Sequence, residues 1–191
     1  MGKRQYTKIA LKKKKKQWFT IVAPREFNEM EIGESLAPDT QSLVNRRISL
    51  SLGFLTGDLR RQNTKVLFRI NEIKNDKATT EIIGYEVMPS HIRRMVKKEK
   101  SRIDDSFKTE TKDNVKVVLK PFILTKTVTK GSVLNNIRKR AREFLTNEVK
   151  KNNFNEVANS IIFSGIQRDL RDNLKKIYPC NIVEIRKFYR L

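Results

Sequence analysis

Cysteine and histidine are almost absent from this chain. Cys180 and His91 are the only examples among 191 residues. No disulfide can form within the chain, which excludes a secreted scaffold held by disulfide staples. One cysteine and one histidine also cannot complete a Cys/His zinc site. Uncharged apolar runs approaching 18 residues are missing, so no transmembrane helix is expected. The stretch Trp18-Phe19-Thr20-Ile21-Val22-Ala23-Pro24 follows a basic start as in a signal peptide. Its apolar part is too short, however, and Pro24-Arg25-Glu26 is not a small-residue cleavage site. A soluble, intracellular protein is expected. Phosphate-cradling glycine loops are missing too, since neither GxGxxG nor GxxxxGK[ST] occurs. Acidic residues are the last shortage: 21 Asp and Glu face 42 Lys and Arg, a net charge of +21 at pH 7.

The chain still has the means to fold. Leu, Ile, Val and Phe supply 56 residues, well above the roughly 20% level below which high net charge implies disorder. Residues 1–16 are the exception, with eight positive charges and no acid. Such a block repels itself and has little to bury, so it is expected to be a disordered basic arm. Residues 17–191 are then expected to form one domain.

Periodicity predicts the elements of that domain. Trp18 to Val22 reads as a strand apolar on both faces, ended by Pro24. Ile48, Leu50 and Leu52 alternate with Arg47, Ser49 and Ser51, and Val66, Phe68 and Ile70 alternate with Lys65, Leu67 and Arg69. Asn75-Asp76 separates two strand-like runs by the two residues of a tight hairpin, and Asp113-Asn114 does the same between 107–112 and 115–124. A helix is expected over Ile92–Lys100, opened by Pro89-Ser90. Another starts at Ser132, with Val133, Ile137, Ala141, Phe144, Leu145 and Val149 at helical spacing. Asn153 and Glu156 resemble a capping box before a further helical run, interrupted at Ser164-Gly165 and stopped by Pro179. Asn181–Tyr189 reads as a final strand. Strands first and helices after predict an α+β fold: a mostly antiparallel, curled or barrel-like sheet, C-terminal helices, and a last strand returning to the sheet.

Basic clusters are the strongest chemical signal. The arm ends in Lys12, Lys13, Lys14, Lys15 and Lys16. Arg93, Arg94, Lys97, Lys98, Lys100 and Arg102 fall in ten residues with one acid, Glu99; on a helix they would make the whole solvent side cationic. Arg60 with Arg61, Lys126 with Lys130, and Arg138, Lys139, Arg140 and Arg142 add three more clusters. A charge run is ordinarily a solvated face. Here the self-repulsion of +21 needs a counter-charge, which favours a polyanion such as structured RNA or DNA. Trp18 beside the lysines could stack on an exposed base, although its place in an apolar strand favours the core; Phe188 and Tyr189 invite the same reading.

Catalytic signals are weak. His91 has no nucleophile or carboxylate placed beside it by any motif, and reads as part of a helix start. Asp104-Asp105 could hold magnesium in a nuclease, but adjacent strand residues point to opposite faces and more often balance local charge. Gly131-Ser132 opens a helix with a single glycine, and Cys180 lacks a thiolate-activating motif. No cofactor and no small-molecule substrate are expected. A metal-dependent nucleic-acid-processing enzyme using Asp104 or Asp105 is the alternative reading. A peripheral membrane protein is a third, disfavoured because Met1-Gly2-Lys3-Arg4-Gln5-Tyr6 lacks the Ser/Thr for myristoylation and the chain ends without a CaaX box.

The segments together resemble one family, the small-subunit ribosomal protein of archaea and eukaryotes called S-one-e or S-three-Ae. The resemblance runs through Lys16–Pro24 with Phe27, Ile32-Gly33, Leu52-Gly53-Phe54-Leu55-Thr56-Gly57-Asp58-Leu59, Arg93–Lys100 and Ser101-Arg102-Ile103-Asp104. It continues in Ile137-Arg138-Lys139, Lys176-Ile177-Tyr178-Pro179 and Val183-Glu184-Ile185-Arg186-Lys187. It covers about residues 14–191, and the length resembles archaeal members. Asn45 and Asn114 stand where relatives are expected to carry glycine; Asn tolerates left-handed backbone best among the other residues. The resemblance implies a structural protein of the subunit platform near the messenger exit side, with a β-barrel-like core, bound to ribosomal RNA and neighbouring platform proteins. It implies no catalysis. Trp18, Arg93–Arg102 and Arg138-Lys139 fall inside the family motifs.

Overall fold

The computed structural model describes residues 15–191. The expected arm, with Lys12, Lys13 and Lys14, lies outside the described residues; Lys15 and Lys16 are exposed and lead directly into the first strand.

The central hairpin shows how the local chemistry acts. Asn75 and Asp76 both take positive φ (47° and 60°), the two-residue turn whose twist matches antiparallel strands. It joins β4 (Thr64–Lys74) to β5 (Lys77–Val87). Val66, Phe68 and Ile70 alternate inward and are fully buried, while Lys65, Leu67 and Arg69 face the other way. Around this hairpin lie β1 (Gln17–Val22), β2 (Glu31–Ala37), β3 (Arg47–Ser51), β6 (Arg102–Asp104), β7 (Phe107–Glu110), β8 (Lys116–Thr125) and β9 (Cys180–Arg190). Asn114 turns β7 into β8 at φ 57° and Asn45 precedes β3 at φ 67°, so both left-handed positions survive without glycine.

The nine strands make one sheet in the order β2-β1-β5-β9-β8-β6, with β4 and then β3 on the other edge of β5, and β7 beside β6 on β8. Every pairing is antiparallel except β1 with β5. Strand β5 divides one edge between two partners: its residues 77–79 meet β1 and its residues 84–86 meet β9.

The expectation of a curled or barrel-like sheet is corrected. The sheet is open, and β2, β3 and β6 each have a single partner strand. A barrel buries its interior by closing on itself; here helices cover that face instead. These are α3 (Gly131–Lys151), α4 (Phe154–Ile162) and α5 (Gly165–Lys175), which follow two short helices, α1 (Leu52–Thr56) and α2 (Pro89–Met95). Ile137, Ala141, Leu145 and Val149 form the buried stripe of α3, and Phe154 of α4 stacks on Phe188 of β9 at 5.4 Å between ring centroids. Asn153 and Glu156 form the expected capping box. Ser164, at φ 60°, breaks α4 from α5 where the sequence predicts an interruption.

A second correction concerns α2, which ends at Met95; Val96 is already extended. Continuing the helix would set Lys97 and Lys98 one turn from Arg93 and Arg94, four like charges in two adjacent pairs. The apolar stripe of Ile92, Met95 and Val96 is too narrow to offset that repulsion. Lys97, Lys98 and Lys100 therefore sit in a loop, and Arg102 opens β6.

Candidate nucleic-acid interface

Hydrogen bonding joins cationic segments that are distant in sequence. The Thr125 N–H donates to the Ser101 carbonyl at 3.0 Å, and the Ser101 N–H donates to Thr125 Oγ1 at 3.0 Å. The Thr129 N–H donates to Ser101 Oγ at 3.0 Å. The loop carrying Lys97, Lys98 and Lys100 is thereby stitched to the loop carrying Lys126 and Lys130. On the other side of α2, Arg94 Nη2 donates to Asn63 Oδ1 at 2.8 Å, which brings the Arg60-Arg61 turn alongside.

Their ionic state separates structural cations from available ones. Arg61 is anchored by Asp58 at 3.6 Å and by the Ile162 carbonyl at 3.3 Å. Arg142 faces Asp105 at 3.5 Å and lies over the Phe107 ring, and Arg140 bonds Asn173 of α5 and faces Glu143. Arg138 donates to the neutral Asn135. Among the described residues, Arg60, Arg93, Lys97, Lys98, Lys100, Lys126, Lys130 and Lys139 have no ion-pair partner, and all but the half-buried Lys100 are exposed. Positive charge of this kind attracts phosphate without reference to base sequence.

Trp18 is corrected: it is 64% exposed rather than buried. Strand β1 buries only the face bearing Phe19 and Ile21, and at its start Trp18 stands across from Leu36 of the edge strand β2. Its ring is open for stacking beside Lys15 and Lys16. Phe188 is fully buried, as expected, while Tyr189 is half-buried with Lys187 Nζ 5.9 Å from its ring.

The remaining candidates are absorbed by structure. Asp104 pairs with Arg102 and approaches Arg186 at 4.0 Å, while Asp105 faces Arg142. Each carboxylate balances arginine charge, and the two do not converge. Among the described residues no three His, Cys, Asp or Glu side chains gather as a metal set, and no helix is long and apolar enough to cross a membrane. His91 lies within α2, where burial and Arg94 hold its imidazole below the ordinary histidine range. It lines a small cavity of about 150 Å³ with Tyr85 and Glu184. Burial pushes the Glu184 carboxyl above its ordinary range, with Arg171 opposing, and pushes the Tyr85 phenol up as well. The Cys180 thiol is also raised by burial, the opposite of an activated thiolate.

Sequence reasoning missed Lys120, Arg186 and Lys187 as site residues. They meet Arg93 and Arg102 along a cleft of about 390 Å³ on the sheet. The available signal was Lys120, a lone cation inside the apolar run 117–125; the strand register that sets it beside Lys187 is a tertiary fact.

Comparison with known proteins identifies the family. The family model described as Ribosomal S3Ae family matches residues 5–191. Small ribosomal subunit protein eS1 of Picrophilus torridus is 34% identical over 174 residues, which cover 91% of this chain and 83% of that protein. The protein of the same name from Methanothrix thermoacetophila is 33% identical over 184 residues, 96% of this chain and 87% of its own length. That from Methanothermobacter thermautotrophicus is 33% identical over 174 residues, 91% and 89% respectively. The chain belongs to the Ribosomal S3Ae family, a family of ribosomal proteins and not of enzymes.

Proposed function

We propose that this chain is a structural constituent of the small ribosomal subunit in the cytoplasm, where it binds ribosomal RNA and supports translation. The observation that carries this reading is the set of cations without ion-pair partners on α2, its following loop, the 126–130 loop and α3. A protein with +21 net charge that leaves these groups unpaired is suited to neutralise backbone phosphates. The lysine run of residues 12–16 extends that charge, and Trp18 offers a stacking surface next to it. Neighbouring platform proteins near the messenger exit side are the expected protein partners. Residues 1–16 act as a basic arm and residues 17–191 as the single folded domain.

The decisive experiment is co-sedimentation of the chain with small ribosomal subunits through high-salt gradients. Comigration that persists in salt supports assembly; chain left at the top of the gradient overturns it. Deleting residues 1–14 is expected to leave thermal stability nearly intact, weaken binding to ribosomal RNA, and flatten its salt dependence. Unchanged affinity and slope would remove the arm from the interface.

A further inference from the structure

On the sheet face turned away from α3–α5, four charged residues stand in register across adjacent strands: Lys65 of β4, Glu86 of β5, Lys187 of β9 and Lys120 of β8. Directly opposed residues share a face with their β-carbons about 5 Å apart, and like charges placed so repel. Glu86 separates Lys65 from Lys187, and its carboxylate lies 3.2 Å from Lys187 Nζ. Lys120 has no such relief. Its cross-strand neighbour is Lys187, and among the described residues no carboxylate lies within ion-pairing distance of it. Arg93 lines the same cleft, as do Arg102, already paired with Asp104, and Arg186, which is 4.0 Å from Asp104 and beyond hydrogen-bond reach of it. Five cations therefore face two carboxylates, against an apolar wall formed by Val87, Pro89 and Ile92. A sheet that holds Lys120 and Lys187 side by side carries a repulsion that an anion between them would remove.

We infer that this cleft is a binding site for one phosphate group of an RNA backbone, seated between Lys120 and Lys187 with the arginine guanidiniums closing on its oxygens. This rests on the RNA-binding reading and adds a defined seat to it. The chemistry fits: guanidinium forks match phosphate oxygens at two points, and ammonium groups supply compact charge. Low-dielectric walls on one side strengthen the field inside the cleft. Glu86 holds Lys187 in place while the seat is empty and opposes the incoming anion.

The test titrates the full chain with inorganic phosphate against chloride at equal ionic strength, following thermal midpoint and backbone amide shifts on β8 and β9. Phosphate is expected to raise the midpoint beyond chloride, since a ligand that binds only the folded state stabilises it. Lys120→Gln and Lys187→Gln should each abolish that increment, Lys108→Gln, on β7 and outside the cleft, should retain it, and Glu86→Gln should enlarge it. Without phosphate, Lys120→Gln should match or exceed the parent midpoint, because a repulsive pair is gone; a lysine of purely structural value would lower it. The same variant should reduce the slope of log affinity for ribosomal RNA against log salt by about 0.7–0.9, the share of one neutralised phosphate. Equal effects of phosphate and chloride, or an increment that survives both lysine substitutions, would overturn the seat and leave the RNA reading untouched. A chain that shows the phosphate increment but no affinity for ribosomal RNA would instead overturn the RNA reading and with it the phosphodiester as ligand.

Discussion

The carboxylate of Asp113, at the tip of the β7–β8 hairpin, accepts a hydrogen bond from the backbone N–H of Phe154, the first residue of α4. Lys112 donates its own N–H to the Asn152 carbonyl close by. The hairpin thus supplies an acceptor and negative charge to a helix N-terminus, and holds the helix that seats Phe154 against Phe188.

Asp113→Ala is expected to cost about 1 kcal/mol at neutral pH, the usual scale for removing a helix-capping acceptor. The Thr111 hydroxyl, with the Phe154 N–H, holds the Asp113 carboxyl below the usual carboxylate range. Its folded pKa lies below its unfolded one, so the stabilisation is complete above the unfolded value and disappears as pH falls through the folded value. Urea denaturation at pH 7 and at pH 3 checks this: the gap between variant and parent should be smaller in acid.

Glu184 has the opposite sign. Burial raises its pKa in the folded state, which therefore binds the proton more tightly and loses stability as pH rises from the ordinary carboxylate range through the raised value. Glu184→Gln should stabilise the protein at neutral pH and have little effect at pH 4. Denaturant midpoints at the two pH values decide it; an equal change at both would mean that Arg171 fully compensates the charge.

Gly84 lies where β5 meets β9. A β-carbon there would stand 2.7 Å from the Phe188 carbonyl oxygen and 3.0 Å from the Tyr189 β-carbon. Both strands are held in their ladders, so Gly84→Ala should cost about 1–3 kcal/mol, the range for overpacking. Thermal denaturation with the far-ultraviolet spectrum of the native fold measures it.

Paired substitution of Lys126 and Lys130 by Gln, and separately of Arg138 and Lys139, should weaken RNA binding evenly across sequences. The salt slope should fall by about 0.7–0.9 for each phosphate no longer neutralised. These side chains are exposed, so stability should stay within about 0.5 kcal/mol of the parent. Filter binding at several salt concentrations, alongside thermal denaturation, separates the two effects.

Much of this fold is legible locally. The Asn75-Asp76 turn, the capping box at Asn153 and the stripe from Ile137 to Val149 rest on neighbours a few residues away, and all form as the spacing predicts. Features that depend on a distant partner are not legible in that way. Sheet closure turns on whether helices or strands cover Phe188, and the exposure of Trp18 on β1 standing next to an edge strand. The end of α2 was readable in principle, because the repulsion between Arg93-Arg94 and Lys97-Lys98 needs no tertiary knowledge. Basic residues were identified by type and segment, whereas the pairing of Lys120 with Lys187 needed the register of β8 on β9.

The bonds that converge on Ser101 have a mechanical meaning. They fasten two cationic loops to one buried threonine, Thr125. The separation of the two loop backbones is then set by the protein itself, and on the proposed reading only the lysine side chains have freedom to give up when RNA binds. On that reading the folded body is a gauge for where the two loops stand, and the lysine stems take up the remaining fit to the phosphates.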